Sequence, residues 1–371
     1  MHLPWRWLLT MTSVASISQV QASSWNMPVG VTDISRDIFG LHMTIFWVCV
    51  VIGVVVFGVM FYSLFRYRHS KGAKAARFHE HTSVEVLWTA IPILILVGMA
   101  VPATATLKNM YDASEADLDI MITGQQWRWR YEYLGEDIAF TSNLSTSREQ
   151  IRGEAERDEH YLLDVDEPLV LPINRKVRFL MTSDDVIHSW WVPALAVKQD
   201  TIPGFINENW VQINEPGIYR GQCAELCGVN HGFMPIVVHA MEEAEFETWL
   251  EERKAAAEQE AMGVDREWAM EELMARGETV YQSICSSCHQ SEGQGAPPAF
   301  PALAGNEQLI NDLDWHLGRV INGVSGAAMP AFRSTLNPVE IAAVVTYTRN
   351  AWGNDTGDIV QPAAVAERIA Q

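Results

Sequence analysis

Two long stretches without a single formal charge constrain this chain more than any other feature. From Leu41 to Phe65, and again from Val86 to Leu107, there is no Asp, Glu, Lys or Arg. A helix rises about 1.5 Å per residue, so roughly 20 apolar residues cross the hydrocarbon of a bilayer. Both runs reach that length, and the helices of soluble cores rarely stay uncharged for so long. The sequence therefore predicts a two-helix transmembrane hairpin, with helices at about 41–65 and 86–107 inside an N-terminal segment 23–117. The connection FRYRHSKGAKAARFHEH sets Arg66, Arg68, Lys71, Lys74 and Arg77 against Glu80. An excess of Lys and Arg marks the cytoplasmic side, which puts everything after Leu107 on the opposite face. Residues 1–22, with basic Arg6, a moderately apolar middle and a V-Q-A end, read as a secretory signal peptide cut after Ala22. An interfacial N-terminal helix is the alternative.

The net charge is -20, with the acidic excess after Leu107. That excludes nucleic acid as a partner, because phosphate contacts need Lys and Arg clusters. An acidic face fits a basic soluble protein drawn in by the field, although plain solubility would have the same composition. Within 118–241, alternating runs such as DIMITGQQWRWRYEY, PLVLPI, KVRFLMTS and MPIVVHAM are separated by turn residues, as strands of an antiparallel sheet would be. Their spacing predicts a small β-barrel or sandwich. A charged, alanine-rich stretch, 242–266, reads as an exposed helix and linker. Helical spacing returns over 267–353, where Asn337 and Pro338 open the last helix, and 354–371 reads as a C-terminal tail.

The five cysteines are Cys49, in the first apolar run, and two C-rich pairs. Cys285, Cys288 and His289 form C-S-S-C-H, the attachment signature of a c-type haem. The two thiols would form thioethers and His289 would face the iron. A following Gly/Pro-rich loop and Met329, in GAAMPAF, supply the Met/His ligation that raises the potential of a cytochrome c. This order of elements over 268–352 resembles class I cytochrome c. A zinc site would need four ligands, and only three are near.

The second pair lies in GQCAELCGVNHGFM, residues 221–234. Cys223, Cys227, His231 and Met234 could hold one zinc ion. A blue copper centre uses one Cys, two His and an axial Met, so two cysteines generalise to two copper ions bridged by two thiolates, each with one imidazole. His188, in SDDVIHSWWVP, is the best candidate for the second imidazole, and the Glu225 carbonyl can reach one copper.

These residues, with the hairpin, DVIHSWWVPALAVKQDTIPG and GQCAELCGVNHGFMPIVV, resemble the copper A domain of cytochrome c oxidase subunit II. The resemblance implies a cupredoxin-like all-β barrel between the hairpin and an all-α cytochrome c domain. It also implies a copper A ligand set of His188, Cys223, the Glu225 carbonyl, Cys227, His231 and Met234. The Glu225 carboxylate would help hold magnesium at the contact with subunit I. Trp127 in GQQWRW would be where electrons enter the copper centre, or would only pack the barrel. Glu85 would mark the mouth of a proton-uptake path, or would only cap a helix. The expected partners are subunits I and III, a cytochrome c or similar donor, and the membrane. The expected place is the bacterial cell membrane, with both metal domains on its extracytoplasmic side. Electrons would then reach subunit I, where oxygen is reduced and protons are pumped. The sequence departs from the family where Arg128 replaces an aromatic residue and Phe205 replaces an arginine. A quinol oxidase subunit would lack the copper ligands. A relay to nitrous oxide reductase would not need two anchors, and a metal-storage chaperone would not need haem. His69, His79 and His81 read as solvated, and His42, His160, His239 and His316 as structural.

Overall fold

The computed structural model describes residues 26–74, 79–325, 327, 329–333 and 335–371, with Glu260 and Ala261 described by backbone alone. The signal peptide expected over 1–22 and Arg77 lie outside the described residues.

Helix α1 spans Asp33–Arg66 and α2 spans Thr82–Met110. Each is longer than its charge-free run. Thr32 explains the early start of α1: its Oγ1 accepts the Ser35 N–H at 3.0 Å while Ser35 Oγ accepts the Thr32 N–H at 3.0 Å, a reciprocal cap that satisfies otherwise unpaired donors. The most apolar windows of both helices are 0 % buried within the chain. So large an apolar surface requires a bilayer around it. The outer ends of the hairpin are tied to the next domain. Asn214 Nδ2 donates to Asp33 Oδ1 at 2.7 Å, Trp210 Nε1 to the Asn109 carbonyl at 3.0 Å, and Lys176 Nζ to the Asp112 carbonyl at 2.8 Å.

That domain packs two five-stranded sheets face to face. Its strands are β1 (Leu118–Gln125), β2 (Arg128–Tyr133), β3 (Ile138–Ser142), β4 (Leu169–Pro172), β5 (Val177–Ser183), β6 (His188–Val192), β7 (Val197–Thr201), β8 (Asn207–Val211), β9 (Gly217–Cys223) and β10 (Pro235–Met241), with a short helix α3 (Arg148–Arg152) after β3. The sheet orders are β3-β2-β1-β5-β8 and β4-β10-β9-β6-β7. The sheets are mixed rather than antiparallel throughout, since β1 pairs with β5 and β4 with β10 in parallel. Parallel neighbours need a crossover, and the segments that change sheets between them supply it. Period-two burial puts Ile120, Ile122, Trp129, Tyr131, Phe179 and Trp190 in the shared core, all at 0 % exposure.

Helix α4, Glu243–Met262, is not the exposed helix its charge suggests. Phe246, Trp249 and Leu250 fall at helical spacing and pack on the β core, with the Trp249 ring 5.3 Å from that of Tyr133. Arg253 and Lys254 clamp the same side through Glu167 and Glu136. The apolar stripe decides the placement, and the charges line its solvent edge.

The C-terminal domain is all-α: α5 (Met270–Val280), a π-helical turn (Tyr281–Cys285), α6 (Ser286–His289), α7 (Glu307–Asn311), α8 (Leu313–Asn322), α9 (Pro338–Asn350) and α10 (Pro362–Ala370). Helices α5 and α9 meet at Gly277, where a Cβ would lie 2.2 Å from the Ala343 carbonyl oxygen. Only glycine permits that approach. Asn337 caps α9, its Oδ1 accepting the Glu340 N–H at 2.9 Å. The stretch read as a tail belongs to this core: Val360 and Val365 are buried in it, and Gln361 Nε2 donates to the Trp268 carbonyl at 3.0 Å. Its few apolar residues give little local signal, and packing against α9 orders them.

Candidate metal centre

Adjacent strands bring the first two ligands together. In the pairing of β6 with β9, Trp190 stands opposite Cys223, which sets His188 beside the end of β9. Gly124 of β1 leaves room for the imidazole, because a Cβ there would lie 2.8 Å from His188 Cδ2. The chain then loops through Glu225 and Cys227, makes a 3-10 turn at His231–Phe233, and enters β10 just after Met234.

The donor atoms converge. Cys223 Sγ lies 3.9 Å from Cys227 Sγ, 4.0 Å from His188 Nδ1 and 3.3 Å from the Glu225 carbonyl oxygen. Cys227 Sγ lies 3.5 Å from both His231 Nδ1 and Met234 Sδ. Both cysteines are free and buried. Two thiols, two imidazoles, a thioether and a carbonyl around a pair of sulfurs exceed what one tetrahedral zinc takes. Soft sulfur with imidazole suits copper, so the residues present fit a binuclear copper centre. The Glu225 side chain is exposed, pointing clear of the sulfurs.

The surrounding hydrogen bonds hold this geometry. His188 Nε2 donates to Asp185 Oδ1 at 2.8 Å, which fixes the tautomer that leaves Nδ1 facing the sulfur. Burial opposes the charged imidazole, but Asp185 and Cys223 outweigh it and raise the His188 pKa. Burial likewise opposes the Asp185 carboxylate, and its bonds to His188 and to the Val186 and Gln126 amides lower its pKa nonetheless. The neighbouring Cys227 thiol draws the Cys223 pKa down, and the charge on Cys223 pushes Cys227 up. Trp127 Nε1 and Gln126 Nε2 donate to the Cys227 carbonyl at 3.1 and 2.7 Å, and Trp129 Nε1 to the Met234 carbonyl at 3.3 Å. Trp127 is therefore half-buried against the loop that carries Cys227. Sequence reasoning gave no role to Asp185, Gln126 or Trp129, although all three stand inside the quoted motifs.

In the helical domain, Cys285 ends the π-helical turn and α6 carries Cys288 and His289. Such turns concentrate at functional sites. The His289 Nδ1–H donates to the Pro301 carbonyl at 2.9 Å, leaving Nε2 for an iron ligand, and burial lowers its pKa. Both thiols are free, and burial pushes Cys285 up to about 12. Two free thiols beside a histidine with Nε2 available fit covalent haem. Met329 stands in a separate loop, where its carbonyl accepts the Val324 N–H at 3.0 Å and its side chain packs on the domain core.

Glu85 lies far along the chain, at the start of α2, where Oε1 accepts the His81 N–H at 3.1 Å; the capping geometry is present. His42 Nε2 pairs with Asn26 Oδ1 at 2.9 Å. His316 is buried, with Nε2 3.5 Å from Thr348 Oγ1.

Known proteins share all three parts. Residues 20–105 match the family described as "Cytochrome C oxidase subunit II, transmembrane domain", and residues 118–241 its "periplasmic domain". Residues 272–347 match "Cytochrome C oxidase, cbb3-type, subunit III". A probable cytochrome c oxidase subunit 2 of Rickettsia felis is 37% identical over 224 residues, 60% of this chain and 70% of that protein. Cytochrome c oxidase subunit 2 of Cereibacter sphaeroides is 34% identical over 256 residues, 65% of this chain and 84% of that one. Among solved structures, the periplasmic domain of subunit II of cytochrome oxidase of Bradyrhizobium japonicum aligns at 39% identity and a TM-score of 0.35, covering 39% of this chain and 98% of that one. With hairpin, β domain and ligand set all in place, the chain belongs to the cytochrome c oxidase subunit II family and carries a cytochrome c domain behind the family's own two parts.

Proposed function

We propose that this chain receives electrons for a respiratory haem-copper oxidase, and that it does so through two redox centres of its own. When bound, a covalent haem c and a binuclear copper A centre would supply one-electron transfer, linking a cytochrome c or similar donor to the site in subunit I where oxygen is reduced to water and protons are pumped. The observation that carries this reading is the convergence of four donor groups, from His188, Glu225, His231 and Met234, on the Cys223–Cys227 sulfur pair.

The protein's part is to hold and orient. Cys223, Cys227, His188, His231, Met234 and the Glu225 carbonyl would together hold the copper, which would supply one-electron transfer. Asp185 keeps the His188 Nδ1 aimed inward. Cys285 and Cys288 would anchor the haem, and His289 and Met329 would hold its iron. Trp127, bonded to the Cys227 carbonyl, is where electrons would enter the copper side. The exposed Glu225 carboxylate would share a magnesium ion with subunit I, and Glu85 would take up protons at the cytoplasmic face. The hairpin would anchor the chain in a bacterial cell membrane beside subunits I and III, with the signal peptide removed and both redox domains outside.

Copper, haem and partner analysis of the complex purified from membranes tests the reading. We expect two copper ions per covalent haem, the near-infrared band and electron resonance of a mixed-valence pair, and co-purification with subunit I. A single zinc ion, or Cys223 and Cys227 joined as a cystine, would contradict it. Met329→Ala should lower the haem potential, and an unchanged potential would remove Met329 as a ligand.

A further inference from the structure

We propose that Arg128 pins the haem domain onto the copper domain, so that the face beside Trp127 is taken by this chain's own haem domain and is closed to a soluble donor. Arg128 opens β2, directly after Trp127, at the turn between β1 and β2. A charged side chain at a hairpin turn normally reaches solvent, yet Arg128 is only 5 % exposed. What covers it comes from the helical domain. Its Cζ stands 5.4 Å over the Phe332 ring, in the loop that follows Met329, and its Nε donates to Gln125 Oε1 at 2.8 Å.

Neighbouring contacts make this a surface rather than one touch. Gln125 Nε2 donates to Thr335 Oγ1 at 3.1 Å and to Asp184 Oδ2 at 2.7 Å. Arg148 of α3 donates to Ser286 Oγ, inside the C-S-S-C-H motif. The same β1–β2 turn bonds to the Cys227 carbonyl, so one short segment touches both redox sites. Burying a guanidinium is costly unless opposite charge and an aromatic face compensate it. Burial does lower the Arg128 pKa, while the Asp185 and Asp184 carboxylates act on it in the opposite sense. Carboxylates of the copper domain and the Phe332 ring of the helical domain thus hold the cation where they meet.

The contact stands on geometry alone, whereas its electron-transfer readout rests on the function proposed above. The experiment uses the assembled oxidase, with Arg128→Glu, Arg128→Gln and Arg128→Lys. In Arg128→Glu, amide exchange in the 124–128 turn and the 329–333 loop should rise about tenfold, since a desolvated cation–aromatic contact with its ion partners is of that order. Lys should restore part of the protection and Gln should not. Haem-to-copper electron transfer after photoreduction should slow by a similar factor. Unchanged exchange in Arg128→Glu overturns the pin. Raised exchange with an unchanged electron rate supports the pin and counts against the route proposed above. If Arg128→Glu fails to assemble, Phe332→Leu and Thr335→Val test the other side, with a severalfold rise expected and no rise overturning the pin.

Discussion

The two redox sites are built in opposite ways. At the copper site, donors from β6, the end of β9 and the loop before β10 already lie within 3.3 to 4.0 Å of the sulfur pair. Two sheets and a set of indole and carboxylate hydrogen bonds fix their positions. At the haem site, three of the four groups come from a single π-helical turn and the short α6, and Met329 stands on a separate loop. A β scaffold shapes its site from long-range strand pairing, so the ligands are preorganised. The helical domain presents an attachment motif on one segment and leaves the bound group to join the remaining parts. The β domain thus holds its candidate donors together by its own fold, whereas the helical domain keeps Met329 on a loop apart from the attachment motif.

Substitutions can break or sharpen that contrast. Cys227→Ser should have the largest effect: it removes the sulfur shared by Cys223, His231 and Met234, so the paired-copper resonance should vanish while the covalent haem mass and spectrum stay. Loss of both would show that the sites are not independent. Phe246→Ala should lower the denaturation free energy of the β domain by about 3–5 kcal/mol, because that ring, 1 % exposed, seats α4 on the core. The haem domain should melt as before. Asp185→Asn should weaken copper binding about 10–100-fold against a competing chelator, and an unchanged affinity would mean that the sheet alone orients His188.

A further effect is one of pH. Burial, then Arg349 and His289, lower the His316 pKa from the usual 6.5 to about 3. The unfolded chain therefore binds more protons between those values. Stability of the haem domain is full above pH 6.5 and should fall as the pH drops toward 3, by about 1.4 kcal/mol per pH unit at most. His316→Gln should flatten that slope in denaturation curves.

Much of this was legible in the sequence because it is local. The charge-free runs, the C-S-S-C-H pentapeptide and the Cys223–Met234 loop each carry their chemistry within a few residues, and His188 was the one distant ligand that a short motif still marked. What stayed hidden depends on distant partners. Parallel pairing of β1 with β5 follows from a crossover that no window of sequence displays. The Phe246, Trp249 and Leu250 stripe was masked by the charges around it. The packing of 354–371 depends on α9, and Asp185 took its role only once β6 brought His188 beneath the loop. Arg128 was visible only as a departure from the family pattern, and the reason for it lies in another domain.

The central claim is that a tethered haem feeds the copper pair within one chain. Photoreduction of the haem in the purified complex, followed at the haem and copper bands over a range of protein concentrations, tests it most directly. Haem oxidation and copper reduction should share one rate that does not vary with concentration. A photoreduced haem that keeps its electron while the copper stays oxidised, or a rate that grows with concentration, would contradict it.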